Sequence, residues 1–182
     1  MDVAAFITAQ PSMMAPLRAM AALGLPDGWI GAGFVRNRVW DALSGFAFDT
    51  NPPADIDVVW FDPGRADAAT DAALEARLRL AAPGLDWSVK NQARMHLRNR
   101  HPPYASTADA LAHWLETATG VAARLTPHGV ELMAPHGLDD LLGLVLRPSP
   151  NAAADPARLA DLRRRAAEKG WPSRWPRLKL AL

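Results

Sequence analysis

Two aspartates one residue apart, Asp55-Ile56-Asp57, run directly into the apolar stretch Val58-Val59-Trp60-Phe61. On an extended strand, residues i and i+2 project from the same side about 6.6 Å apart. Asp55 and Asp57 can therefore grip hard cations together while Ile56 and Val58 face a core. Carboxylates at this spacing, completed by substrate phosphates, suit Mg²⁺. A cation so held stabilises charge on transferring phosphoryl oxygens and helps ionise an attacking hydroxyl, as phosphoryl or nucleotidyl transfer requires. An isolated Asp-x-Asp also occurs simply as two acids solvating the start of a strand, so the chemistry needs support from elsewhere.

That support lies upstream. Gly31-Ala32-Gly33 follows the apolar pair Trp29-Ile30 and precedes a helix marked by Val35, Val39 and Leu43. Missing side chains at Gly31 and Gly33 let backbone N–H groups approach a phosphate at the positively polarised end of a helix. Arg36, Asn37 and Arg38 follow in its first turns. Arg36 and Asn37 can face a ligand there, although a buried arginine equally serves as partner to an internal carboxylate such as Asp41 or Asp139. A dinucleotide-binding reading, with Asp55 as the acid about twenty residues on, fails twice: Arg36 holds the third glycine position, and the aspartates precede their strand instead of ending it.

Further along, Lys90, Asn91, Arg94 and His96 form a polar cluster that no apolar periodicity places in a core. Lys90 and Arg94 suit phosphates, Asn91 a base or sugar, and His96 the orientation of a neighbour. His101, His113, His128 and His136 have no zinc-ligand spacing and read as surface or packing residues. No nucleophile elbow, cysteine or P-loop pattern is present, which leaves metal-assisted transfer or binding.

The elements that must position these groups alternate in type. Met13, Leu17, Met20 and Leu23 recur at helical spacing after Pro11. Trp29–Gly33 reads as a strand entering a tight turn, and Asn51-Pro52-Pro53 as a stiff approach to a strand over 55–61. Leu74, Leu78 and Ala81 carry a helix that Pro83-Gly84 stops, and a strand follows over 85–92. Ser106 with Asp109 caps a helix running through Leu111, Trp114 and Leu115 toward Gly120. Pro127-His128-Gly129 joins strands over 121–125 and 130–134 into a hairpin, and residues 137–146 form a short helix. Asp155-Pro156 opens a last helix through Leu159, Leu162 and Ala166, whose Arg163-Arg164-Arg165 run reads as its solvated face. The Trp-Pro pairs at Trp171 and Trp175 are expected to clamp the chain end to the body.

A chain of 182 residues fits one domain, with 49% hydrophobic residues enough for a core. A formal net charge of +1 provides no global field toward nucleic acid or membrane, so an anionic partner must be captured locally. The absence of cysteine removes disulfides and thiolate metal sites and suits a reducing compartment. No apolar run approaches a membrane span and the N-terminus lacks a basic, apolar leader, so a cytoplasmic location is expected.

The segments Gly31-Ala32-Gly33-Phe34-Val35-Arg36-Asn37-Arg38-Val39-Trp40-Asp41 and Asp55-Ile56-Asp57-Val58 together resemble a bacterial nucleotidyltransferase-like family, once a domain-of-unknown-function family. The segments Trp87–His96, Ala134–Leu141, Arg147-Pro148, Trp171-Pro172 and Trp175-Pro176 are similar to its other signatures. The resemblance implies an α+β fold of the polymerase-β-like nucleotidyltransferase kind, a central mixed sheet flanked by helices. Residues 1–150 would form that domain, with the helix and Trp-Pro tail of 151–182 packed on it. The family's usual glycine pair is here Gly31-Ala32-Gly33.

The resemblance also implies a third carboxylate from a neighbouring strand, Glu131 first and Asp86 as the alternative. The expected activity is metal-dependent transfer of a nucleoside monophosphate from NTP to an unidentified acceptor. Asp55, Asp57 and Glu131 would hold Mg²⁺ or Mn²⁺, and Gly31, Gly33, Arg36, Asn37, Lys90, Asn91 and Arg94 would contact the nucleotide. The alternative is a nucleotide- or partner-binding module without turnover. RNA binding through the arginine-rich C-terminus ranks last, and no membrane partner is expected.

Overall fold

The structure is a computed structural model that describes residues 1–182. Its centre is a five-stranded sheet in the order β3-β2-β1-β4-β5, built from β1 (Trp29–Gly31), β2 (Ile56–Trp60), β3 (Trp87–Asn91), β4 (Ala122–Thr126) and β5 (Gly129–Met133). β2 and β3 are parallel and every other pairing is antiparallel, so the sheet is mixed as expected. The helix α4 (Ala68–Ala81) makes the β2–β3 crossover, with its buried Leu74 and Leu78 against the sheet.

Two short helices, α1 (Val3–Thr8) and α2 (Pro11–Ala21), lead in. Pro11 is the first residue of α2, where its missing N–H costs nothing, so the proline starts this helix. The helix α3 (Gly33–Ser44) leaves the turn after β1 and packs Phe34, Val35, Val39 and Trp40 inside. Then come α5 (Gln92–Asn99), α6 (Thr107–Ala112), α7 (Asp139–Leu142), β6 (Val145–Leu146), α8 (Pro150–Ala153), α9 (Pro156–Glu168), α10 (Trp171–Arg174) and β7 (Lys179–Leu180), the last paired with β6.

The C-terminal segment is part of the core. Leu162, Ala166, Trp171, Trp175 and Leu178 belong to the same buried cluster as Trp40, Val58 and Val89. Trp171 and Trp175 meet Trp40 edge to face at 6.4 and 5.1 Å between ring centroids. The Trp175 indole N–H donates to Asp41 Oδ1 at 2.8 Å. These tryptophans clamp the chain end, as their Trp-Pro context suggests.

The expected long helix from Ser106 toward Gly120 does not form. Ser106 caps α6, its Oγ accepting from Asp109 N, but the helix ends at Ala112. Residues beyond it are drawn off by the segment that follows β6: Thr117 N donates to Arg147 O, Ser149 N donates to Leu115 O, and Glu116 bridges Pro148. The loop 113–119 therefore runs across the sheet as a wall.

Candidate active site

Asp57 lies beside Ser88 on β3 and, one step past the Ile30–Val58 pair, beside Gly31 on β1. Side-chain alternation puts Asp57 and Val59 on one sheet face while Ile56, Val58 and Trp60 are buried on the other, and Asp55 lies in the bend just before β2, one residue short of the expected strand start. A cleft of about 550 Å³ opens over that polar face. Its floor includes Asp57, Val59, Ser88 and Lys90; α5 supplies Gln92, Met95, Arg98 and Asn99. The loop 113–119 supplies His113, Trp114, Glu116 and Thr119, and α9 closes the cleft with Arg158, Asp161 and Arg165.

Burial and the neighbouring Asp55 charge push the Asp57 carboxyl up to about 6, against the pull of Arg165, Arg36 and Lys90. No hydrogen bond is among the influences on it. A carboxylate so crowded, with its oxygens unclaimed by protein donors, is a group that gains from a cation.

The turn ahead of α3 is tight. Ala32 holds φ of 55° and ψ of −129°, a conformation that costs a residue with a side chain about 1–3 kcal/mol. A Cβ on Gly33 would stand 3.1 Å from Pro53, so Gly33 admits the stiff 51–53 segment against the helix start. A Cβ on Gly31 would stand 3.3 Å from the Trp114 ring, so the room at Gly31 is taken by an indole.

Several residues expected at the ligand are engaged elsewhere. Arg36 is buried, donating to Thr119 Oγ1 at 2.7 Å and to Asn37 Oδ1 at 2.9 Å, with its guanidinium 4.4 Å from the Trp171 ring centroid. Burial lowers its pKa to about 10, which leaves it charged at neutral pH, and its field reaches Asp57 from behind the cleft wall. Its partners are not the Asp41 or Asp139 suggested by sequence. Asn37, also buried, donates to Asn51 O.

Asn91 is fully buried and caps α5, accepting from Ala93 N and donating to Asp62 O and Arg65 O. Arg94 pairs with Asp71, which also accepts from Trp60 Nε1 and Asn91 N. Asn91 and Arg94 thus face away from the cleft; the face of α5 that lines it carries Gln92, Met95 and Asn99, at helical spacing from one another. Lys90 does line the cleft, with Nζ 3.7 Å from Glu75.

Glu131 is a correction. It sits on β5 at the far edge of the sheet, separated from β2 by β1 and β4, and pairs with Arg124 at 2.6 Å. That pairing holds its carboxyl below the ordinary value. Two intervening strands at about 4.8 Å spacing put it beyond any shared cation with Asp57. Asp86, exposed, lies just before β3, its backbone O accepting from Ile56 N, the residue after Asp55. No cluster of three acids or histidines with metal-holding geometry is present.

Sequence reasoning missed α9 and the loop 113–119. Arg165 lies in a run that reads as solvated, yet its Nε is 3.0 Å from the buried Glu116, a Coulombic contact angled off the hydrogen-bond axis. Arg158, Asp161 and Arg165 stand at i, i+3 and i+7, and that spacing was the available signal for a shared face. His101 and His113, expected to be ordinary, also line the cleft. Their rings are 5.1 Å apart, and burial with the Arg158 charge lowers the His101 pKa. Arg158 only donates, so His101 Nε2 must accept from it and Nδ1 must carry the proton toward Tyr104 Oη.

The same architecture occurs in solved structures. One, an NMR structure described as revealing a CCA-adding enzyme head domain, is 35% identical, with TM-score 0.85, 98% of this chain and 93% of that chain covered. The Thermotoga maritima CCA-adding enzyme complexed with tRNA is 19% identical with TM-score 0.55, covering 98% of this chain and 48% of the enzyme. A CCA-adding enzyme with CTP is likewise 19% identical, with TM-score 0.56 and 98% and 49% covered. This chain spans about half the length of those two enzymes, which share its fold. No curated protein matches it. A family model described as nucleotidyltransferase matches residues 18–180, from within α2 to β7 and across every strand that shapes the cleft. With the mixed sheet, the turn before α3 and the Asp55–Asp57 strand in one matched stretch, the chain belongs to the nucleotidyltransferase family.

Proposed function

We propose that this nucleotidyltransferase moves a nucleoside monophosphate from an NTP to an acceptor hydroxyl or amine, using Mg²⁺ or Mn²⁺ held by Asp55 and Asp57. The observation that carries the reading is Asp57: a half-buried carboxylate without a protein donor, on the floor of a cleft that also presents Lys90, Arg98, Arg158 and Arg165. Carboxylate oxygens one residue apart suit a hard divalent cation, and the Asp57 pKa, raised first by burial and then by the Asp55 charge, marks a carboxylate that such an ion would stabilise. When bound, the ion supplies charge stabilisation at the α-phosphate and a more acidic acceptor.

The chain's own groups do the rest. Arg165 and Lys90 hold phosphate oxygens, and buried Arg36 adds a fixed positive charge behind them. Ala32, which lines the cleft, is the N-cap of α3, where the first backbone N–H groups of the helix favour an anion. The acceptor atom bonds to the α-phosphorus as that phosphorus loses its bond to the α–β bridging oxygen; pyrophosphate leaves with that electron pair, and the acceptor's proton passes to solvent. Asp86, just before the neighbouring strand β3, is the acid available as a further ligand.

CTP is the first nucleotide to try, since a fold neighbour was solved with it. No helix is long and apolar enough to cross a membrane. The test is pyrophosphate release from each NTP with Mg²⁺ or Mn²⁺ and a pool of metabolites, RNA and protein, wild type against Asp55→Ala/Asp57→Ala. Release that needs both aspartates is expected; absence of both release and metal-dependent NTP binding from folded protein would overturn the reading. NTP binding without turnover would favour the non-catalytic module.

A further inference from the structure

We propose that Trp114 is the platform on which the nucleobase of the bound nucleotide stacks. The inference rests on the triphosphate reading of the same cleft and adds where the rest of the nucleotide lies.

Trp114 is half-buried, at the cleft wall, because the segment after α6 is pulled out of helical conformation by its bonds to residues 147–149. It packs against the small buried cluster of Trp29, Val59, Leu111 and Ala122, which fixes the ring. Its Cη2 lies 3.3 Å from where a Gly31 side chain would begin. Gly31 is the cross-strand neighbour of Asp57 on the same sheet face, and such neighbours have Cβ positions about 5 Å apart. The indole is thus seated one strand away from the carboxylate that would bind the metal.

That separation is what a nucleotide requires, because the base hangs from the α-phosphate by a single sugar. The apolar lining of the cleft is Ala32, Val58, Val59, Met95, Trp114 and Leu115, and Trp114 packs directly on the cluster that contains Val59. A flat apolar ring with polar edges fits a floor of that kind, and an indole face binds any base through its π surface. Gly31 gains a second reason to be glycine: a side chain there would push the indole out of place.

Stacking without edge-specific contacts predicts that all four NTPs bind within a few-fold of one another. The experiment is calorimetric titration of full-length wild type and Trp114→Leu, each with Mg²⁺, using the four NTPs and, separately, inorganic tripolyphosphate. Leucine keeps apolar volume against Val59 and removes the π face, and a thermal melt checks folding. The expected result is NTP affinity lower on the order of tenfold to a hundredfold in Trp114→Leu, with tripolyphosphate affinity unchanged. Trp114→Phe should recover most of the loss.

Unchanged NTP affinity in Trp114→Leu would overturn the proposal, as would an equal loss for NTP and tripolyphosphate, which would make Trp114 a support of the phosphate end. If Trp114→Leu fails the melt, Trp114→Phe decides: NTP and tripolyphosphate weakened alike in it would again overturn the stacking. Wild-type protein that binds NTP but not tripolyphosphate would sink the triphosphate reading and leave the stacking result standing on its own.

Discussion

At Asp57 the protein keeps a carboxylate whose charge is disfavoured by burial and by Asp55, and the two costs have one sign. Its folded pKa, about 6, lies above the ordinary 3.8, so the folded apo protein holds this proton more tightly than the unfolded chain. The group's contribution to stability is therefore fully present below about pH 4 and is lost as pH rises through about 6. Asp57→Asn should stabilise the apo protein by about 1–2 kcal/mol at pH 8 and have little effect at pH 4, read by denaturant unfolding at both pH values. The same proton competes with metal: Mg²⁺-dependent NTP affinity in wild type should fall as pH drops below about 6, and in Asp57→Asn it should be absent at every pH. Asn37, Asn91 and Arg94 show the opposite economy, with every strong hydrogen-bonding group spent on the fold.

Among the elements, α9 decides most. Its amphipathic pattern buries Leu162 and Ala166 and turns Arg158, Asp161 and Arg165 toward the cleft, while Arg163 and Arg164 stay exposed. Consecutive arginines look alike in sequence and differ by the rotation of about 100° per residue around the helix. Arg165→Gln is expected to weaken Mg²⁺–NTP binding about tenfold through the loss of a charged phosphate contact, while Arg163→Gln leaves it within about twofold. Equal effects of the two variants, measured by the same titration, would remove Arg165 from the phosphate site. On the other side of the sheet, α4 protects the edge strand β3: Val89 N donates to Glu75 and Asn91 N to Asp71. Those carboxylates occupy donors that would otherwise invite another strand.

For the molecule as a whole, the chain end completes the core. Trp175 is fully buried against Trp40 and bonded to Asp41, which also accepts from Asn51 N and Nδ2. Since Asn51 opens the segment leading to Asp55, the tail, the helix α3 and the approach to β2 are tied at one carboxylate. Trp175→Ala should cost about 3–5 kcal/mol, seen as a lowered midpoint in urea. Truncation before Asp155 would remove Leu162, Trp171 and Trp175 from the core and unfold the protein, so it cannot isolate an RNA-binding function of the arginine run.

Local signals carried the Asp55–Asp57 strand, the glycine turn before α3, the β4–β5 hairpin and the burial of the terminal tryptophans, because each rests on contacts or alternation within a few residues. The placement of Glu131 was beyond such signals: an acid on a strand says nothing about which strands lie between it and Asp57, and only sheet order puts β1 and β4 there. Likewise, α6 has the pattern to continue past Ala112, and only hydrogen bonds to residues thirty or more positions away in sequence pull Trp114 and Glu116 into the cleft wall. The sequence by itself determined the family, the acidic strand at Asp57 and the presence of a turn beside it. The tertiary structure alone decided which charges share the cleft, because Arg165, Glu116, Trp114 and Asp57 meet through packing between segments that have no local reason to be neighbours.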